Sequence, residues 1–117
     1  MARSLSDRVA GRGVRATLAV ALVLAGLASG QALAADAQVK IANFTFDPPT
    51  LTVKAGTTVT WINADDIPHL VSEKDGKFRS SALDTNDKFS QTFSIAGTVE
   101  YFCAIHPHMT GRIVVTP

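Results

Sequence analysis

The stretch Thr98-Val99-Glu100-Tyr101-Phe102-Cys103-Ala104-Ile105-His106-Pro107-His108-Met109-Thr110-Gly111-Arg112-Ile113-Val114-Val115-Thr116 reads as two β-strands joined by a segment dense in metal donors. From Thr98 to Cys103 the side chains alternate, which puts Val99, Tyr101 and Cys103 on one face and Glu100 and Phe102 on the other. With Tyr101 turned inward, Cys103 reaches the end of its strand from the core side. His106 and Met109 follow in a short loop, where Pro107 fixes one φ. Gly111 then lets the chain re-enter the sheet as the strand Arg112 to Thr116.

Working outward, the donors decide the chemistry. Cys103, His106 and Met109 place a thiolate, an imidazole and a thioether within seven residues. Taken alone, a cysteine is more often a small buried hydrophobe, and a methionine near a C-terminus is more often core. The joint Cys-x-x-His-x-x-Met pattern points to copper, whose blue-type redox sites combine two His and one Cys with a weak, long axial Met. The chain has three His, and His69 in Asp66-Ile67-Pro68-His69 is the one outside the stretch. The reading is a scaffold that holds His69, Cys103, His106 and Met109 around one copper ion. A structural zinc site is the weaker alternative, because Met is a poor fourth donor for zinc. A Cys/His nucleophile pair leaves Met109 and His69 unexplained. His108 reads as a solvated loop residue.

The remaining chain supplies strands. Val39 to Phe46 is expected to be one strand, ended by Asp47-Pro48-Pro49. Leu51 and Val53 alternate with polar neighbours in a half-buried strand. After the Ala55-Gly56 turn, Thr57 to Asn63 puts Val59 and Trp61 on one face. Asn63-Ala64-Asp65-Asp66 makes a polar loop that delivers His69, and Leu70 to Ser72 is short and extended. Glu73 to Asp87 lacks sustained periodicity and reads as a surface excursion with one irregular or helical turn, marked at Asp75-Gly76. Lys88 to Ile95 alternates cleanly, with Phe89, Phe93 and Ile95 on one face. About seven short strands punctuated by Gly and Pro turns predict an all-β Greek-key β-sandwich.

Residues 1–34 read as a secretory signal peptide that is removed. Arg3, Arg8, Arg12 and Arg15 form a basic start, an apolar run spans Ala16 to Ala28, and Ala32-Leu33-Ala34 offers a cleavage site. The run is too short to span a membrane. Residues 35–117 then form a single domain of 83 residues with seven Lys and Arg against nine Asp and Glu, a net charge of −2. That balance excludes the basic surface of a nucleic-acid binder. One cysteine in an exported chain cannot staple the fold and calls for another reason, which metal ligation supplies.

These residues resemble the cupredoxins, the type 1 blue copper proteins. Among the branches of that family the likeness is greatest to the amicyanins, with plastocyanins and pseudoazurins next. It rests on Phe46-x-Pro48, Val53-Lys54-Ala55-Gly56, Val59-Thr60-Trp61-Ile62-Asn63, Pro68-His69, Phe93-x-x-x-Gly97-Thr98, Tyr101-x-Cys103-x-x-His106-Pro107-x-Met109 and Gly111. The two-residue gap between His106 and Met109 is the short ligand loop of the amicyanin branch. The resemblance implies His69, Cys103 and His106 as equatorial ligands, Met109 as the axial one, and one-electron transfer in the periplasm as the activity. Two departures stand out. The additional N-terminal strand of the amicyanin branch has no counterpart here, which leaves a sheet edge less covered. Leu70 replaces the usual Asn after the first His ligand, which removes a side-chain tie between the ligand loops and leaves its backbone N–H to reach the Cys103 sulfur.

The expected function is a monomeric, non-enzymatic shuttle between a redox protein donor and acceptor, docking through an apolar face around His106 made by Ala104, Ile105, Pro107 and Ile67. Phe102 offers a rival electron exit. The alternative from another class is a periplasmic copper carrier or store. A thiol-based redox sensor is a third, and it would require an exposed, reactive Cys103.

Overall fold

A computed structural model describes residues 36–117, so the signal-peptide reading lies outside the described residues. The described chain is all-β. Its eight strands are β1 (Asp36–Ala42), β2 (Thr45–Asp47), β3 (Thr50–Lys54), β4 (Thr57–Asn63), β5 (Val71–Glu73), β6 (Lys88–Phe93), β7 (Gly97–Cys103) and β8 (His106–Thr116). They form two four-stranded sheets, ordered β2-β1-β4-β6 and β3-β8-β7-β5. Period-2 patterning explains which side chains face inward. In β4, Thr57, Val59, Trp61 and Asn63 are buried while the residues between them are half-exposed. Tyr101 and Cys103 of β7 and Ile113 and Val115 of β8 answer them from the other sheet.

Trp61 sits at the centre of that core with no exposed surface. Its ring neighbours are Phe78, Phe89, Phe93 and Tyr101. Truncating such a residue to Ala costs about 3–5 kcal/mol. Among the described residues neither Trp61 Nε1 nor Tyr101 Oη has a hydrogen-bond partner. Burial pushes the Tyr101 phenol up to about 12, opposed by the nearby Trp61 indole. The Tyr101 ring lies against Gly111, where a Cβ would overlap it, so Gly111 is needed for close approach.

Three expectations are corrected. The Val39 to Phe46 strand is two strands, because Asn43 and Phe44 take positive φ (52° and 57°) and turn the chain back. Asn and Asp adopt that conformation far more readily than a bulky residue, and no Gly marks the turn in the sequence. As a result β1 is internal to its sheet, paired parallel to β4 and antiparallel to β2. The three-residue β2 forms the edge on that side, and short edge strands are a protection against edge-to-edge pairing.

The second correction concerns Ile95, which is 84% exposed. β6 ends at Phe93, whose carbonyl accepts from Gly56 N–H at 2.6 Å, so the alternation runs past the strand that it describes. The excursion after Glu73 takes the irregular course expected of it, with turns and isolated bridges over residues 74–87. The segment turns at Asp75-Gly76, where Glu73 Oε1 accepts from the N–H groups of Asp75 and Lys77. It then bridges back through Ser72 with Arg79 and His69 with Leu83. Third, the last strand starts at His106 rather than Arg112. Its register with β7 jumps from Phe102 with Thr110 to Cys103 with His106, which leaves Pro107, His108 and Met109 without partners on β7. That bulge returns Met109 to the core, where it is buried.

Candidate metal centre

The centre forms where β4 and β7 end and β8 begins. Asn63, the last residue of β4, is fully buried and its amide organises the loop that follows. Its Nδ2 donates to the carbonyls of Ile67 and Leu83, both at 2.8 Å, and its Oδ1 accepts from Asp65 N–H at 2.9 Å. Thr85 Oγ1 donates to the Asp65 carbonyl. His69 and Leu83 exchange both backbone hydrogen bonds, at 3.1 and 2.7 Å. His69 is thereby fixed by its own backbone and by the loop on each side of it.

The Asp65 carboxylate joins three parts of the site. Oδ1 accepts from Asn43 N–H at 2.7 Å, and Oδ2 accepts from Phe44 N–H at 3.1 Å. Oδ2 also lies 2.8 Å from His69 Nε2. Burial raises the Asp65 pKa, but the N–H groups of Phe44 and Asn43 and the His69 ring outweigh it and hold the carboxyl below its ordinary value. An ionised carboxylate only accepts, so Nε2 carries the proton and Nδ1 keeps its lone pair.

That lone pair faces sulfur. Cys103 is fully buried, and its Sγ lies 3.7 Å from His69 Nδ1 and 3.6 Å from His106 Nδ1. The donor atoms of His69, Cys103 and His106 all fall within 4.8 Å of one another. Two imidazole nitrogens and a thiol converging at this spacing, with one tautomer fixed by a carboxylate, fit a copper ion of the His₂Cys kind. Leu70 N–H reaches Cys103 Sγ at 3.4 Å, and Ala104 N–H donates to the Leu70 carbonyl at 3.0 Å. These two backbone bonds brace the ligand loops where the side-chain tie is missing.

The structure thus brings together His69, Cys103 and His106. Met109 lies buried in the bulge of β8, three residues past His106, while the exposed His108 stands outside the donor cluster. Around the half-exposed His106, Ile105 and Pro107 are exposed and Ile67 is half-buried. Three residues of the site were not anticipated. Asp65 had a signal in its spacing of four from His69, and Asn63 had one in being a polar residue at an inward-facing strand position. Phe44 had none, since its contact with the histidines depends on the turn between β1 and β2. Its ring stands edge-on to both His69 (centroids 5.7 Å apart) and His106 (5.1 Å).

Residues 33–116 match the family model described as copper binding proteins, plastocyanin/azurin family. The chain is 37% identical over 111 residues to amicyanin-alpha of Methylorubrum extorquens, covering 86% of this chain and 93% of the relative. It is 42% identical over 82 residues to the amicyanin of Paracoccus denitrificans, covering 66% and 63%. Among solved structures, a purple cupredoxin from Nitrosopumilus maritimus superposes with a TM-score of 0.64 at 35% identity, over 69% of this chain and all of that one. A Cu(I) form of an amicyanin variant gives a TM-score of 0.65 at 38% identity, over 75% and 88%.

Proposed function

This chain belongs to the plastocyanin/azurin family of copper-binding proteins, and from that premise we propose that it is a small one-electron carrier of the blue copper type. The observation that carries the reading is the convergence of His69 Nδ1, His106 Nδ1 and Cys103 Sγ. In this reading those three residues are the equatorial ligands, and Met109 is the axial one. Copper supplies the one-electron couple between its two oxidation states. The protein holds the donors in a geometry that changes little between them. Asp65 fixes the plane and tautomer of His69, Leu70 N–H fixes the sulfur, and the strand end fixes Cys103. A transfer that needs little rearrangement is fast, and none of this requires a substrate pocket.

Residues 1–34 act as a removed signal peptide and residues 35–117 work as a monomer in the periplasm. Among the described residues no helix is long and apolar enough to cross a membrane. The redox donor and acceptor dock on the apolar face of Phe44, Ile105 and Pro107 around His106, a small contact of the size that brief redox encounters use. A copper carrier would need ligands that release the ion readily. Two loops cross-braced at Leu70 and Asp65 favour retention.

The test is the visible spectrum of the mature protein with one equivalent of Cu(II). An intense thiolate-to-copper band is expected, and it disappears in Cys103→Ser because serine lacks the thiolate. A Cys103→Ser protein that kept the band would rule out this site.

A further inference from the structure

Phe44 is out of place by the ordinary rules of both backbone and surface. It is a bulky residue at φ 57°, where a left-handed conformation is a genuine outlier for such a side chain. It is also 51% exposed. Strained backbone of this kind persists where the surroundings over-determine it, and it clusters at functional sites. Here the determining group is the Asp65 carboxylate. Asp65 accepts from both N–H groups of the turn, and the oxygen that takes Phe44 N–H also sits 2.8 Å from His69 Nε2. The turn therefore cannot move without disturbing the hydrogen bond that orients His69.

The ring is placed where this matters. Its plane is nearly perpendicular to both imidazoles, at 89° to His69 and 85° to His106, the edge-to-face arrangement that aromatic pairs favour. The two histidines come from different connections, one between β4 and β5 and the other at the start of β8. Phe44 is a single side chain in contact with both. Either imidazole would have to push it aside to rotate.

We propose that Phe44 is a positioning residue of the metal centre: it locks the planes of the His69 and His106 rings relative to each other and closes that side of the centre to water and small anions. The proposal deepens the copper reading and rests on His69, Cys103 and His106 being the ligands. The apolar surroundings of a metal site control solvent access and local dielectric. A ring held over both imidazoles therefore sets the site's potential and its resistance to exogenous ligands together.

The experiment compares wild type, Phe44→Gly and Phe44→Tyr. Glycine accepts the positive φ without strain, so the turn and its bonds to Asp65 survive while the ring is lost. Tyrosine keeps the ring. In the metal-free proteins, labelling of Cys103 by a water-soluble aromatic disulfide reads how freely the imidazoles swing off the sulfur. In the copper-loaded proteins, azide titration of the visible band and the electron-spin-resonance copper hyperfine splitting read the closure and geometry of the site. Phe44→Gly is expected to label several-fold faster, to bind copper about tenfold more weakly, and to respond to azide. Phe44→Tyr is expected to match wild type. If wild type shows the thiolate band and Phe44→Gly matches it in labelling, hyperfine splitting and azide response, the proposal is overturned. Equal losses in Phe44→Gly and Phe44→Tyr also overturn it, by assigning the effect to the turn rather than the ring. No thiolate band in wild type would overturn the copper reading, and the proposal with it.

Discussion

His69 has no exposed surface and its Nε2 meets a carboxylate, whereas His106 is half-exposed and its polar contact among the described residues is Cys103 Sγ. The difference extends to the two sides of the centre. On the His69 side, Asn63, Asp65, Leu83 and Thr85 form a polar network in which backbone and side-chain groups are matched. On the Cys103 and Met109 side, beyond the Leu70 and Ala104 N–H bonds, the chain is held by packing: Tyr101 against Gly111, Met109 in the bulge, and Phe44 against the imidazole. Hydrogen bonds are directional and fix an orientation through one atom pair, while apolar packing fixes position and excludes water, and it holds a ring plane only where another ring stands edge-to-face against it. The centre thus has one side built for invariance and one side built for contact.

The largest expected effect tests the polar side. Asp65→Ala leaves His69 Nε2 without its acceptor and frees the turn at Asn43 and Phe44. Copper affinity, measured by competition with a chelator, should fall about 10–100-fold, the usual cost of removing a hydrogen-bond partner behind a metal-ligating histidine. An unchanged affinity would mean that packing alone orients both rings and would erase the contrast.

A smaller effect sharpens the packed side through pH. Tyr101 has its pKa raised from 10.0 to about 12, so the folded state favours the neutral phenol. Its contribution to stability is complete below pH 10 and is lost as pH rises through 12. Denaturant melts of the metal-free protein should lose roughly 2–3 kcal/mol across that window, and Tyr101→Phe should lose much less. The acid side has the opposite sign. Because the Asp65 carboxyl is held below its ordinary value, its contribution is present above that value and fades as pH falls through the lowered range. The smallest effect belongs to the contact surface. Ile105→Lys should leave the spectrum and stability nearly unchanged and slow electron self-exchange, because two like charges would meet at the interface. If self-exchange ignores Ile105→Lys but drops in Phe102→Leu, the electron leaves by the flank through Phe102 and not by His106.

What the sequence revealed divides along the same line. The donors His69, Cys103 and His106 are legible because ligand chemistry restricts residue type, and three histidines leave little choice. The sandwich is legible because β4 and β7 alternate cleanly where one face is buried. The fold of Val39 to Phe46 into two strands was not legible, since the turn is held by Asp65, twenty-two residues away from Asn43. Ile95 misled because alternation in sequence continues after the hydrogen-bonded ladder has ended. The course of residues 74–87 depends on bridges to Ser72 and His69, pairings that no local pattern encodes.

Strand β8 lies between β3 and β7, pairing with the first in parallel and with the second antiparallel. The sheet to which it belongs therefore has no centre until residues 106–116 have been made. β3 ends at Lys54, so it must wait for a partner that begins 52 residues later at His106, and contacts at such separation are slow to form. A nascent chain consequently carries its early strands without a closed core until β8 has been made. His69 is made well before the thiol and the second imidazole that it will face. Copper can meet His69, Cys103 and His106 together only after β8 has begun, so the metal cannot guide the pairing of the strands that precede it.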